Sequence, residues 1–180
     1  MKHNLLVFQG PSASGKNTLQ ARLGIPRVIT WTSRRPRPHE AHGVDYHFST
    51  RAEMEIGMER GQFLEMTDYN GQLYGTSLES IKRIMTSGER RSIILDVHGA
   101  RKLKELYPDQ VLRIGIRTGI EDCRRRLLAR GSEEDAVKRL ATYGEEAEAL
   151  TECDLIIANS DATKSTAEAI IDYLRKGLME

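Results

Sequence analysis

Between Gly10 and Thr18 the chain reads GPSASGKNT. Glycines at positions 10 and 15, followed at once by Lys16, have the spacing of a loop that wraps an anion. Glycine lets the backbone turn its N–H groups inward, so that Ser12, Ala13 and Ser14 offer amides to a phosphate. A helix starting beside the loop adds the positive end of its dipole. Lys16 can reach outer phosphates as a point charge, and Thr18 has a hydroxyl for an inner one. Position 17 is where a Ser or Thr would put its hydroxyl on Mg²⁺; here it is Asn17, which offers an amide oxygen.

Other residues of chemical interest fall in clusters. TSRRPRPHEAHGVDYHF (Thr32–Phe48) concentrates guanidinium groups and phenols. Such groups give dense, oriented donors for a dianion. GQFLEMTDYNGQLYGTS (Gly61–Ser77) carries Glu65, a carboxylate able to accept from adjacent donors. CRRRLLARGSEEDAVKR places Arg126 and Arg130 one helical turn apart on one face. Arg124 and Arg125 read as a solvated face. The histidines (positions 3, 39, 42, 47 and 98) have no ligand spacing. Cys123 and Cys153 have neither metal nor redox spacing and read as reduced thiols. Trp31 reads as a core residue.

These groups need a frame. The chain has 180 residues, enough for one domain with a sizeable core, and is 39% hydrophobic and 29% charged, an ordinary soluble composition. A net charge of +1 does not suggest nucleic acid or a membrane surface as partner. No apolar run is long enough to span a bilayer, and MKHNLLVFQG is too short and too quickly polar for a secretory signal. The expected location is cytoplasmic. NLLVFQG, RVITWT, RSIILDV, VLRIGIR and DLIIAN read as strands. Helical patterns cover 17–23, 99–106, 120–129, 133–150 and 163–178. This alternation predicts an α/β fold with a doubly wound parallel sheet. SRRPRPHEAHG is neither helix nor central strand, because proline removes donors from both. The stretch from about 33 to 85 breaks the alternation and reads as an insertion with its own structure. The core is then 1–32 and 86–180.

At Thr32–Phe48 the chain resembles guanylate kinase, whose signature reads Thr-Thr-Arg-x-Pro-Arg-x-Gly-Glu, then Gly, then Tyr-x-Phe. The likeness continues through GQFLEMTDYNGQLYGTS, LDVHGARKLKELYPD, RRRLLARGSEEDAVKRL and DLIIANSD, in the family order. It implies a phosphate-loop kinase of a single domain, with a GMP-binding insertion (33–85) and a short lid (130–139). The implied reaction moves the terminal phosphoryl group of ATP to GMP or dGMP, with Mg²⁺. ATP would be held by residues 10 to 18 of the loop (Gly10, Ser12, Ala13, Ser14, Gly15, Lys16, Asn17 and Thr18), with Arg126 and Asn159 near the adenine. Arg34, Arg37, Tyr46 and Tyr74 match the family's GMP-phosphate residues. Glu65, Thr30, Gly75, Thr76 and Asp96 match positions around the guanine, and Asp96 ends a strand, where α/β sheets present ligands. Lys16, Arg37, Arg130, Arg139 and Asp96 would carry catalysis. Closure of insertion and lid would exclude water.

The chain also departs from the family. Asn17 implies a metal shell completed by water and phosphates. The stretch Leu19–Thr30 and the lid between Arg130 and Arg139 are short. Ile94 stands where relatives carry an acid, His39 replaces Gly, and His98 replaces Gln. A sugar-phosphate kinase acting on ribose 1,5-bisphosphate stays open as a rival, although Glu65 and Thr76 argue against it. So does a guanylate-kinase-like binding module, although Gly15, Lys16 and the lid arginines argue against that.

Overall fold

The apolar run before Gly10 forms strand β1 (Leu5–Gln9), and helix α1 (Lys16–Leu23) begins on the far side of the glycine-rich loop. The computed structural model describes residues 3–69 and 71–179. Next come β2 (Trp31–Thr32), β3 (His47–Phe48), α2 (Arg51–Glu59), β4 (Phe63–Tyr69), β5 (Gln72–Ser77) and α3 (Leu78–Ser87). The chain continues through β6 (Arg91–Ile94), α4 (Val97–Leu106), β7 (Val111–Arg117) and α5 (Ile120–Leu128). It ends with α6 (Glu133–Leu140), α7 (Tyr143–Glu148), a 3-10 turn (Ala149–Glu152), β8 (Leu155–Ala158) and α8 (Lys164–Met179).

The chain divides into two compact units: residues up to Pro26 together with those from Arg90 onward, and Arg27–Glu89. The smaller unit thus extends a few residues beyond the expected 33–85 at each end.

The larger unit is built on a parallel sheet in the order β6-β1-β7-β8. β1 lies inside it, and every one of its residues is buried. That is why its sequence is an unbroken apolar run rather than an alternating one. Leu6 and Phe8 face a cluster that includes Leu19 and Leu23 of α1, Ile114 and Ile116 of β7, and Ala167 and Ile171 of α8. Leu5 and Val7 point the other way by strand alternation, and α4 packs against β1 and β7. Helices on both faces make the sheet doubly wound, as expected. α1 ends at Gly24, whose φ of 71° favours a residue without Cβ.

The expected helix 133–150 is broken. It is α6, then α7, then the 3-10 turn, with the direction changing at Thr142. A tertiary bond accounts for the break: Tyr143 donates its hydroxyl to the Thr118 carbonyl at 2.9 Å. The expected strand RVITWT is also shorter, since only Trp31 and Thr32 join a ladder as β2.

The smaller unit has a sheet in the order β3-β2-β5-β4, with β2 and β3 parallel and the other pairs antiparallel. α2 starts with a capping box, Thr50 accepting from the Glu53 amide while Glu53 accepts from the Thr50 amide. Met54 of α2 packs with Phe63, Leu73, Trp31 and Met66. Trp31 meets Phe63 edge to face at 5.9 Å and packs, half-buried, against this small core.

Candidate functional site

The loop between β1 and α1 turns on three residues with positive φ: Gly10 (134°), Ala13 (62°) and Gly15 (99°). A Cβ at Gly10 would lie 2.4 Å from the Ile116 carbonyl oxygen, so only glycine lets the loop leave the sheet here. Ser14 is buried, and its carbonyl is held from behind. Asn159 Nδ2 donates to it at 2.7 Å, and Thr118 Oγ1 lies at 3.1 Å. Lys16 curls back to donate to the carbonyls of Gly10 (2.5 Å) and Pro11 (2.8 Å). Burial lowers the Lys16 pKa, and Arg139 adds to that; the Glu146 carboxylate is the largest opposing influence. Ser12 is half-buried, while Asn17 and Thr18 are exposed on the first turn of α1.

Two of these contacts were not foreseen from the sequence. Asn159 follows β8 and was expected beside the adenine; its amide donates to the Ser14 carbonyl, and it is 6% exposed. Glu146, on α7, was not singled out at all. Its Oε2 is buried without a hydrogen-bond partner. Burial raises its pKa; Lys16, the Ser12 amide and the Thr142 hydroxyl act against that, and Asp96 adds to it. No local sequence signal marks this residue, because the break after α6 turns it toward the loop.

The basic cluster of α5 divides as its exposure suggests. Arg124 pairs with Glu133 at 2.6 Å, and Arg125 pairs with Asp122 and Asp161, all at the surface. Arg126 is more enclosed. It donates to the carbonyls of Asn159 (2.9 Å) and Ala13 (3.3 Å) and to Asp161 (2.8 Å), which fixes it against the loop. Arg130 and Arg139 are exposed. Asp96 caps α4, accepting from the Gly99 amide at 2.8 Å, and is exposed at the end of the strand. Ile94 packs against the apolar cluster of the larger unit.

The smaller unit brings together the other predicted residues. In the antiparallel pair of β4 and β5, Glu65 stands opposite Thr76, and Tyr74 lies two residues before Thr76 on the same face. Thr76 is fully buried with its hydroxyl unpartnered. Gly75 between them presses its backbone on Phe63, where a Cβ would stand 3.0 Å from the ring. The Arg34 guanidinium lies 5.6 Å from the Tyr46 ring centre and 5.9 Å from that of Phe48. Tyr46 and Tyr74 meet edge to face at 6.1 Å. Arg34 donates to Glu40 at 2.9 Å, and hydrogen bonds from Arg34 to Glu40 and Tyr74 hold its guanidinium firmly charged. Arg37 is exposed, with its amide on Glu40. The Thr30 carbonyl accepts from the His47 amide at 2.8 Å.

The family model described as guanylate kinase matches residues 2–176. The chain belongs to the guanylate kinase family. A guanylate kinase of Rubrobacter xylanophilus is 39% identical, over 96% of this chain and 93% of the other. One from Lactococcus lactis is 34% identical, over 92% of this chain and 84% of the other. The crystal structure of guanylate kinase from Anaplasma phagocytophilum superposes with a TM-score of 0.69 at 26% identity, covering 99% of this chain and 87% of that one. Guanylate kinase architecture therefore accommodates Asn17, Ile94 and His39. The loop around Lys16 keeps its turns with Asn17 exposed, and Ile94 serves the core.

Proposed function

We propose a residue-level reading for a chain that phosphorylates GMP at the expense of ATP. The observation that carries it is the pairing of Glu65 with Thr76 on one face of β4 and β5, beside Tyr74. Guanine presents N1–H and the N2 amino group as adjacent donors, which a carboxylate accepts together. Adenine has an acceptor at N1 and is opposed. Thr76 has a buried hydroxyl to spend, and Thr30 and Gly75 complete this side of the base. Arg34, Arg37, Tyr46 and Tyr74 clamp the GMP phosphate. A sugar phosphate has no base edge for Glu65 to read, which disfavours the ribose bisphosphate alternative.

On the other nucleotide, the loop amides, Lys16 and Thr18 receive the ATP phosphates, Arg126 lies beside the adenine, and Arg130 and Arg139 serve the transferred group with Asp96. Phosphoryl transfer asks little covalent work of a protein; positioning and charge neutralisation supply the rate. No side chain forms a covalent intermediate.

The donor set suits a Mg²⁺ ion carried by ATP. Among the described residues no group of three or more His, Cys, Asp or Glu could hold a metal. The protein's share would be Asp96, exposed beyond the end of β6, with water and phosphate oxygens supplying the rest. Bound there, Mg²⁺ would neutralise phosphate charge. We also propose that dGMP is accepted and that the chain works in the cytoplasm, which its free cysteines suit.

The test is base choice. Glu65→Gln keeps size but turns one acceptor into a donor, at a cost of about 1–3 kcal/mol for the unsatisfied partner. IMP keeps N1–H and O6 but lacks the N2 amino group. Wild type should prefer GMP to IMP and reject AMP, and the substitution should shrink the GMP-to-IMP ratio of kcat/KM. A preference for AMP, or an unchanged ratio, removes Glu65 as the base reader.

A further inference from the structure

The resemblance singled out Glu40 as part of a motif without giving it a task. In the structure both of its carboxylate oxygens are engaged, each by one arginine of the phosphate clamp. Oε1 accepts from Arg34 Nη2 at 2.9 Å, and Oε2 accepts from the Arg37 backbone amide at 2.7 Å. The Glu40 amide in turn donates to the Arg37 carbonyl at 3.0 Å. The turn that permits this runs through His39, whose φ is 77°.

We propose that Glu40 is a positioning residue for GMP phosphorylation: it fixes the Arg34 guanidinium and the Arg37 backbone together, and so sets the geometry of the clamp for the 5′-phosphate. This rests on the reading of Arg34 and Arg37 given above. The pair is well enclosed, with side-chain exposures of 16% for Arg34 and 18% for Glu40. A guanidinium has five N–H donors. Glu40 takes one, the Arg35 carbonyl takes another at 2.7 Å, Tyr74 engages the same guanidinium, and Nε is buried with no partner. The aromatic rings of Tyr46 and Phe48 lie under the same guanidinium. Glu40 therefore orients Arg34 without exhausting its donors. A carboxylate is required, because an amide at position 40 presents an N–H either to Arg34 or to the Arg37 amide, and both are donors.

Glu40→Gln should raise KM for GMP by roughly tenfold to a hundredfold, the scale of a lost charge-assisted bond. KM for ATP should stay within about twofold, and so should the inhibition constant of guanosine, which has the base but no phosphate. A role confined to folding would shift guanosine and ATP along with GMP. Glu40→Asp keeps the charge but falls short of bridging both partners, and should give a smaller rise; it serves if the Gln variant does not fold. Arg34→Ala is measured in parallel. If it leaves KM for GMP unchanged, the clamp reading fails and the brace with it. If it weakens GMP while Glu40→Gln and Glu40→Asp do not, the brace alone is overturned. Tighter GMP binding in Glu40→Gln would also overturn it, because Glu40 would then be a competitor for Arg34.

Discussion

Asn159 Nδ2 lies 2.7 Å from the Ser14 carbonyl, and a Cβ built on Gly15 would come within 2.2 Å of that same nitrogen. The residue after β8 thus supports the phosphate loop from behind, and Gly15 is glycine for two separate reasons, its φ of 99° and this contact. Asn159→Ala removes the donor and leaves the Ser14 carbonyl to Thr118. The expected loss is about 1–3 kcal/mol of stability, the scale of a buried bond unmade. KM for ATP should rise while KM for GMP stays. Urea unfolding and both KM values check this; a midpoint equal to wild type shows that the Asn159 bond contributes nothing.

His39 occupies a left-handed backbone conformation at an exposed site. For a residue with a Cβ this costs roughly 1–2 kcal/mol. Glycine gives back about 0.5–1 kcal/mol through the entropy of the unfolded chain. His39→Gly should therefore stabilise by about 0–1.5 kcal/mol, the difference between those two ranges. His39→Val should destabilise, since branching at Cβ worsens the same clash. The urea midpoints should rank Gly above His above Val. The reverse order for Gly and His would mean that the φ is unstrained.

Part of this molecule could be read directly from its sequence, and the reason is locality. Gly10, Gly15 and Lys16 are close in the chain, and the turn they make depends on their own backbones, so the loop was visible before any fold was known. The same holds for β1, whose burial on both faces shows as a continuous apolar run. The roles proposed for Glu65, Arg34 and Tyr74 come only from family resemblance, because nothing local tells a base-reading carboxylate from a surface one. What stayed hidden depends on distant partners. β2 and β3 have two residues each and exist through pairing across the small sheet. The helix expected over 133–150 looks continuous until Tyr143 finds Thr118. The same break aims Glu146 inward, and the bond from Asn159 stayed hidden because its partner is Ser14, 145 positions earlier.

Glu146 provides the last test. Burial drives the Lys16 pKa down, and Glu146 is the largest influence in the other direction; Cys123 helps it, and Arg139 opposes it. In the role proposed for it Lys16 acts as a cation, so that role is lost as pH rises through its lowered pKa. Removing the Glu146 charge lowers that pKa further. Glu146→Gln should therefore move the alkaline limb of kcat/KM for ATP to lower pH, with kcat/KM at neutral pH also reduced. Glu146 has a raised pKa of its own, set first by burial and then opposed by Lys16. In wild type its charge is lost as pH falls through that value, so the acidic limb should contain a step that the amide variant lacks. A variant with merely disturbed packing would lose activity at every pH without moving either limb. Measuring kcat/KM for ATP across the pH range in both proteins decides it: superimposable profiles after scaling mean that Glu146 does not balance Lys16.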